Sequence, residues 1–547
     1  MSFEFLDWIV FIGYFVLLLA VAFWIILREN KNTEDYFLAG RNVGWFVIGA
    51  SIFASNIGSE HVVGLAGTGA AGNMPLAHYE LHAWIVLLLG WLFLPFYMRS
   101  GVFTMPEFLE KRFDARSRWF LSIFSIAGYV LTKVSVTIYA GGIVVSNLLN
   151  IPTVELLGIE ISGFMIGAIG TVLVTGLYTI LGGMRAVVYT EAIQTVILII
   201  GAFIITFIGL NAVGGWAELK AAAGSSHFNM WRPPSDPDFP WTGMVIGGTI
   251  VGIWYWCTDQ YIVQRTLSAA DIKIGRRGAI FGSYLKILPI FIFLVPGIIA
   301  YVLKQKGMLD YGTSDEVFPA LVQYLLPAGL RGLVAAGLMA ALMSSLASVF
   351  NSSSTLFTVD IFKKLYPNSS EKRLLTIGRW ATAGVTIIGL LWIPFLVALS
   401  KGTLYQYLQS VQAYIAPPIT AVFLMGILWK RTTAQGAITT LLLGLVLAAL
   451  RIGAELSTGG EGSGLLAKFA SINFAHLAIY LFVLYIAVCT TVSLLTTAPS
   501  EEKIAGLTFG TLTAEQKASA KNSYSFVDIA ASVLLIATVI GIMIYFS

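Results

Sequence analysis

Hydroxyl, amide and ionisable side chains sit in stretches of this sequence that are otherwise strongly apolar, and their types limit what chemistry they can do. GASIFASNIGSEHVVGLAGTGAAG (49–72) sets Ser, Asn, Glu and His among small residues, GIWYWCTDQ (252–260) sets Asp259 beside aromatic rings, and MSSLASVFNSSST (343–355) is a run of hydroxyls. Glu191, Lys133 and Lys286 stand inside further apolar runs. Such groups offer oxygen coordination and hydrogen bonding in an apolar surround, which is the chemistry of binding. The carboxylates and histidines form no nucleophile–base arrangement of the kind covalent catalysis needs. Cys257 and Cys489 both lie in apolar runs, so they make no disulfide framework, and no Cys/His spacing fits a zinc site.

The elements that must position these groups are membrane spans. The 547 residues are 57% hydrophobic and only 11% charged, with a mean hydropathy of +0.82; soluble domains carry roughly 25% charged residues. A net charge of +4 gives no reason to expect a nucleic-acid partner. A spanning helix needs about 20 mostly apolar residues. Fourteen runs qualify: 6–27, 43–71, 79–98, 119–149, 156–181, 187–212, 243–264, 279–303, 332–360, 376–400, 404–428, 433–454, 469–496 and 524–546. The first follows Glu4 and Asp7 where a secretory signal would carry basic residues, so it reads as a retained helix. The connections at 213–242, 304–331 and 497–523 are too short for a second folded domain, and 1–547 is expected to be one all-α membrane domain.

Of the 33 Lys and Arg, 23 fall in the loops of one side, 8 in those of the other, and Lys133 and Lys286 lie within spans. Basic loops stay in the cytoplasm. Both termini are therefore expected outside, in an inner or plasma membrane. Backbone that leaves the helical path at membrane depth is tolerated only where protein or a watery cavity satisfies it. Secondary transporters use such interrupted helices to bind ion and substrate at the midplane. The polar second, seventh and ninth runs, with no nucleotide-binding loop in the chain, point to gradient-driven transport.

ENKNTEDYFLAGR (29–41), ASNIGSEHVVGLAGTGAA (54–71), GVFTMPEFLEKRF (101–113), YTILGGMRAVVYTEAIQ (178–194), WYWCTDQYIVQRTLSA (254–269), LMSSLASVFNSSSTLFTVDIF (342–362), YLQSVQAYIAPP (407–418) and PPITAVFLMGILWKR (417–431) follow one another in order. Together they resemble the sodium/glucose cotransporter family of sodium:solute symporters, and WYWCTDQ is closest to its sugar and inositol branch. The resemblance implies a LeuT-like core of two inverted five-helix repeats. Here these would cover 43–212 and 243–428, with one helix before them (6–27) and three after (433–546).

The resemblance also implies the site. Sodium, a hard cation, would be held by the carbonyls of Ala54, Ile57 and Ala341 and the hydroxyls of Ser344 and Ser345. Small and hydroxyl residues also let helices approach closely, and the residue types alone leave that reading open. A second sodium would use Glu191 and Ser348. Glu stands at 191 where the family usually has Asp, and Ala347 stands where two-ion members carry a hydroxyl, so one sodium per sugar is expected. Glu191 could instead pair with Arg185. Asp259 reads as an inner-end partner for Arg265 and is left out of the pocket.

For the sugar, a ring of hydroxyls with apolar faces, the resemblance gives hydrogen-bonding roles to Asn56, His61, Glu80, Lys286 and Gln409. Tyr255 would stack on the inner side as a gate with Trp256 beside it, and Leu65, Tyr79 and Tyr405 would form the outer lid. Lys286 could also snorkel to the interface, Glu80 could serve a helix N-terminus, and His61 could be a satisfied core histidine. His78, His82, His227 and His476 give no reason for selection. Gly252 and Ala83 replace polar residues of relatives, which removes contacts and adds room. Sodium-driven import of a glucose- or galactose-like monosaccharide is the expected activity. A symporter for inositol, sialic acid or another polar solute is the nearer alternative, and a sugar sensor or channel the more distant one. Nothing in the residues speaks to oligomeric state.

Overall fold

Apolar runs can satisfy their backbone polar groups inside a bilayer only as helices or closed barrels, and this sequence forms helices. The computed structural model describes residues 3–27, 32–58, 60–149, 151–156, 159–399, 404–459 and 462–547. Among these residues ten helices are long and apolar enough to cross a membrane, or eleven if Trp45–Asn56 and His61–Ala70, bent by 65°, make one crossing. Val136–Ser146 and Gly243–Thr258 are shorter apolar helices within the expected runs 119–149 and 243–264. The chain is an integral membrane protein. One departure from an all-helical chain is a small antiparallel hairpin, Val154–Leu156 with Ile159–Ile161, which occupies the start of the expected run 156–181.

Nine elements carry the features developed below. They are α1 (Trp45–Asn56), α2 (His61–Ala70), α3 (Met74–Ser100), α4 (Gly163–Val213), α5 (Gly243–Thr258), α6 (Gln260–Leu267), α7 (Ile272–Gln305), α8 (Leu330–Leu365) and α9 (Leu404–Leu428). The most apolar stretch of α8 is 94% buried, against 28% for Phe5–Ile26 and 22% for Phe526–Tyr545. The hydroxyl-rich helix is therefore central and the Leu/Ile-rich ones peripheral, as lipid requires. At the N-terminal end of α8, Asp7 Oδ1 accepts from the amides of Gly329 (2.7 Å) and Gly332 (2.9 Å), so a carboxylate of the first helix caps the start of the central one.

The expected breaks in the second and seventh runs are present. Helix α1 ends at Ile57 in extended backbone (φ −77°, ψ 100°). Helix α5 ends in a π-helical turn, Trp254–Thr258, after which Asp259 is extended (φ −79°, ψ 128°) and accepts from the Tyr261 amide to start α6. π-turns inside helices cluster at functional sites. The ninth run is not broken: its hydroxyls bond back along the helix, Ser348 Oγ to Ser344 O and Thr355 Oγ1 to Asn351 O, each at 2.8 Å. Gly49 and Gly278 bring α1 against α7; a Cβ at Gly49 would lie 2.7 Å from Gly278 O.

The expected runs 156–181 and 187–212 join in α4, whose 51 residues would reach about 76 Å if straight, far beyond a hydrocarbon core of about 30 Å. Tyr178 Oη donates to Met343 O (3.3 Å), and Ser348 Oγ donates to Glu191. Residues 178 and 191 would be about 20 Å apart on a straight helix, yet they meet positions only about 7.5 Å apart on α8. The chain therefore reverses at Gly183 (φ 59°, ψ −155°), and both arms lie along α8. Only glycine takes this backbone without strain, and a Cβ there would lie 2.6 Å from Tyr36 O. Gly183→Ala is expected to lower the unfolding midpoint in detergent and the folded yield. Gly13→Ala, where nothing lies within 4 Å, should not.

Candidate functional site

Helices α3, α5, α7 and α9 and the break between α1 and α2 line one cavity. Asn56, His61, Glu80, Tyr255, Trp256, Lys286 and Gln409 all line it, as does Tyr79 of the expected lid. Leu65 is buried but does not line it, and the side chain of Tyr405 lies outside the described residues.

At the centre is an ion pair. Lys286 Nζ lies 2.5 Å from Glu80 Oε2, and His61 Nε2 lies 3.2 Å from Glu80 Oε1, all three side chains being buried. Lys286 therefore does not snorkel, and Glu80 serves a partner on another helix. The Trp256 ring lies 5.4 Å from the ammonium. Tyr255 packs edge-on to Trp256 at 4.9 Å and accepts from Asn56 Nδ2 at 3.2 Å. From the other side Lys133 Nζ approaches the rings of Tyr255 (4.1 Å) and Tyr261 (3.8 Å), the geometry of a cation over an aromatic face. Among the described residues Asn56 Oδ1, Tyr79 Oη and Gln409 Oε1 are buried without a hydrogen-bond partner. A buried polar atom left in that state costs about 1–3 kcal/mol. A ligand with several hydroxyls, lying against the aromatic pair, would relieve all three.

The cavity also takes in His82, Val251, Gly252, Leu408 and Gln412. Gln412 follows Gln409 by three residues on one helix, a spacing that could have signalled it. His82 had no such signal: two residues from Glu80, it reaches the cavity because the backbone turns at Leu81 and His82 (ψ 7° and 6°). Gly252 does not add room, since the His82 ring fills the space its side chain would take.

A second cluster joins the end of α1 to α8. Ser344 Oγ lies 2.7 Å from Ala54 O and 2.9 Å from Ala341 O, and Ser345 Oγ lies 3.2 Å from both Ile57 O and Ser55 O. The five oxygens expected around sodium are thus gathered between a helix break and the central helix. They are carbonyls and hydroxyls with no full charge, which suits a hard monovalent cation.

Next to them Glu191 is completely buried. It accepts from Ser51 and Ser348, from Ser55 Oγ (3.2 Å) and from Arg265 Nη2 (3.2 Å). Arg185 is not its partner; that guanidinium bonds Ala39 O at 3.2 Å. Nor does Arg265 pair with Asp259, which instead accepts from Tyr129 Oη and the Tyr261 amide. The two expected pairings fail for one reason: α6 directs Arg265 toward α4, and Asp259 is used in capping α6 itself.

Paired helix breaks around a polar cavity, with an oxygen cluster at one of them, define a secondary transporter. The chain belongs to the Sodium:solute symporter family, whose profile matches residues 36–444, and sodium is its co-transported ion. It is 39% identical to sodium/glucose cotransporter 4 of Danio rerio, over 92% of this chain and 81% of that protein. It is 38% identical to sodium/myo-inositol cotransporter 2 of Mus musculus, over 93% and 80% respectively. Among solved structures, a Na+-coupled sialic acid symporter superposes with a TM-score of 0.76 at 24% identity, covering 91% of this chain and all of that one. A nucleobase-cation-symport-1 family transporter superposes at 0.53 and 14% identity, over 87% and 99%. These neighbours share the LeuT-like fold.

Proposed function

We propose that this protein imports a monosaccharide of the glucose or galactose kind together with one sodium ion, by alternating access. The observation that carries this reading is the cavity itself: the Glu80–Lys286–His61 group and the partnerless oxygens of Asn56, Tyr79 and Gln409, set against Tyr255 and Trp256. In the proposed cycle, sodium at Ala54, Ile57, Ala341, Ser344 and Ser345 ties α1 to α8 and favours the outward-open form. Sugar enters, Tyr79 closes over it with Leu65 and Tyr405, and Tyr255 moves to release it inward. Coupling requires that each ligand favour the two forms unequally. The proposal also includes fourteen crossings, repeats over 43–212 and 243–428, and termini outside an inner or plasma membrane. Counting the two arms of α4 separately, with the bent pair and the two shorter helices, supports the fourteen.

One ion is favoured because Glu191, the carboxylate a second site would need, is already matched by Arg265. At ~100 mV and a tenfold sodium gradient, one ion supports roughly 500-fold accumulation and two about the square of that. A cyclic polyol such as myo-inositol is the second reading, since a similarly close relative bears that name.

Uptake of labelled glucose, galactose and myo-inositol into proteoliposomes, with sodium or choline outside, tests both readings. Sodium-dependent uphill glucose or galactose uptake with a Hill slope near one for sodium is expected. Uptake indifferent to sodium would sink the symport reading, and a slope near two would sink the stoichiometry. Ser345→Ala, which removes one ligand oxygen, is expected to raise the half-saturating sodium concentration by about tenfold or more while glucose affinity at saturating sodium is retained.

A further inference from the structure

His82 lies on the cavity wall, 6% exposed. The ring is seated by two glycines one helical turn apart on α5. A Cβ at Gly252 would lie 2.8 Å from His82 Nδ1 and 2.9 Å from Cε1, and one at Gly248 would lie 3.5 Å from Nε2. The edge of the Tyr79 ring closes the slot, with centroids 5.3 Å apart. A side chain at 252 would press on the imidazole and on Ile85 Cδ1, 2.5 Å from the same Cβ position, so the slot holds the ring only while 252 is glycine. The glycines and the histidine are thus one unit: a polar group brought from α3 into the groove that α5 leaves bare.

A neutral imidazole carries one donor and one acceptor. Lining a cavity whose other walls hold Glu80, Lys286, Asn56 and Gln409, it extends the polar lining to the face made by α5. A solute bound in the cavity would find this donor and acceptor on the wall beside it. We infer that His82, held by Gly248 and Gly252, contacts a ring hydroxyl of the transported solute and sets which sugars or cyclic polyols this protein selects. The inference rests on the proposed reading of the cavity as a sugar site.

The test is initial-rate uptake into proteoliposomes of labelled glucose, galactose and myo-inositol by the whole protein. His82→Ala is expected to raise KM for the best substrate by about tenfold, one hydrogen bond's worth. It should also change the ratio of kcat/KM among the three solutes by about fivefold or more, with half-saturating sodium within roughly twofold of the parent. His82→Gln, which keeps a donor and an acceptor, should recover most of the lost affinity. Gly252→Thr should behave like His82→Ala by displacing the ring. Combined with His82→Ala, the threonine hydroxyl enters the emptied slot, and the double variant should transport better than either single one.

A purely structural role would lower kcat for all three solutes together and leave their ratios alone; that result overturns the inference, as does an unchanged KM in His82→Ala. If His82→Ala gives no folded protein, the ratios in His82→Gln and Gly252→Thr decide. Failure of the parent protein to take up any of the three with sodium overturns the sugar reading and this inference together, and is seen in the parent alone.

Discussion

Lys286→Ala is expected to abolish sugar uptake and to lower stability by about 3–5 kcal/mol, the cost of leaving a buried carboxylate without its cation. Glu80 is paired with Lys286 at 2.5 Å and with His61 at 3.2 Å, inside the membrane-spanning part of the protein. Removing the ammonium leaves the carboxylate charge to be borne by a polar imidazole alone. Glu80→Gln is expected to be equally inactive, with Lys286 now the stranded charge. The double variant Glu80→Gln/Lys286→Met has neither charge to bury. Buried pairs replaced by neutral groups are often neutral or better for stability, so it should unfold near the parent temperature while remaining without uptake. Thermal unfolding in detergent and sodium-dependent uptake, measured on all three, separate the contribution to folding from the contribution to binding. Normal uptake by Lys286→Ala would remove this pair from the site.

Arg265→Ala should have the second large effect, and the more unusual one. The Arg265 and Glu191 side chains are both wholly inaccessible, and Glu191 is further surrounded by Ser51, Ser55 and Ser348. Without the guanidinium, a carboxylate and three hydroxyls remain, a set of oxygen ligands with one negative charge. In potassium or choline chloride the variant is expected to lose about 3–5 kcal/mol. In sodium chloride part of that loss should return, because an ion that binds only the folded state stabilises it by mass action. The unfolding midpoint of Arg265→Ala should therefore rise steeply with sodium but not with choline, more than in the parent. A midpoint that falls equally in both salts would show that this carboxylate does not accept sodium even when unpaired, and an unchanged midpoint would show that the ion pair contributes nothing.

Much of this could be read from residue types and order. Apolar runs announce spans because a bilayer leaves the backbone no other choice, and polar residues at 54–61 and 254–259 marked the two helices that break. The roles of Asn56, His61, Glu80, Lys286 and Gln409 follow from the family resemblance, and the structure brings these residues to one cavity. What could not be read depends on tertiary apposition or on a single torsion. Arg265 lies 74 residues from Glu191, nearer in sequence to Asp259, and only the direction α6 takes after its cap decides between them. His82 was invisible because a helix of ideal pitch turns it away from Glu80. Its partner in shape, Gly252, looked like lost contact when it is the seat of another one. The hydroxyls of 343–355 suggested a broken helix, but bonding to their own carbonyls lets that helix run on.

The reversal at Gly183 bears on how the chain enters the membrane. Its two arms are joined by so short a turn that no tether between them could extend past the headgroups. They emerge from the ribosome as one apolar stretch of 51 residues. With each arm a crossing, as proposed, neither can settle across the bilayer while the other waits in water, and the two would be inserted as a single helical hairpin. A stop placed between them would leave an arm that the cell's quality control must clear, and the first half of the protein could be assembled only after Val213 has been made.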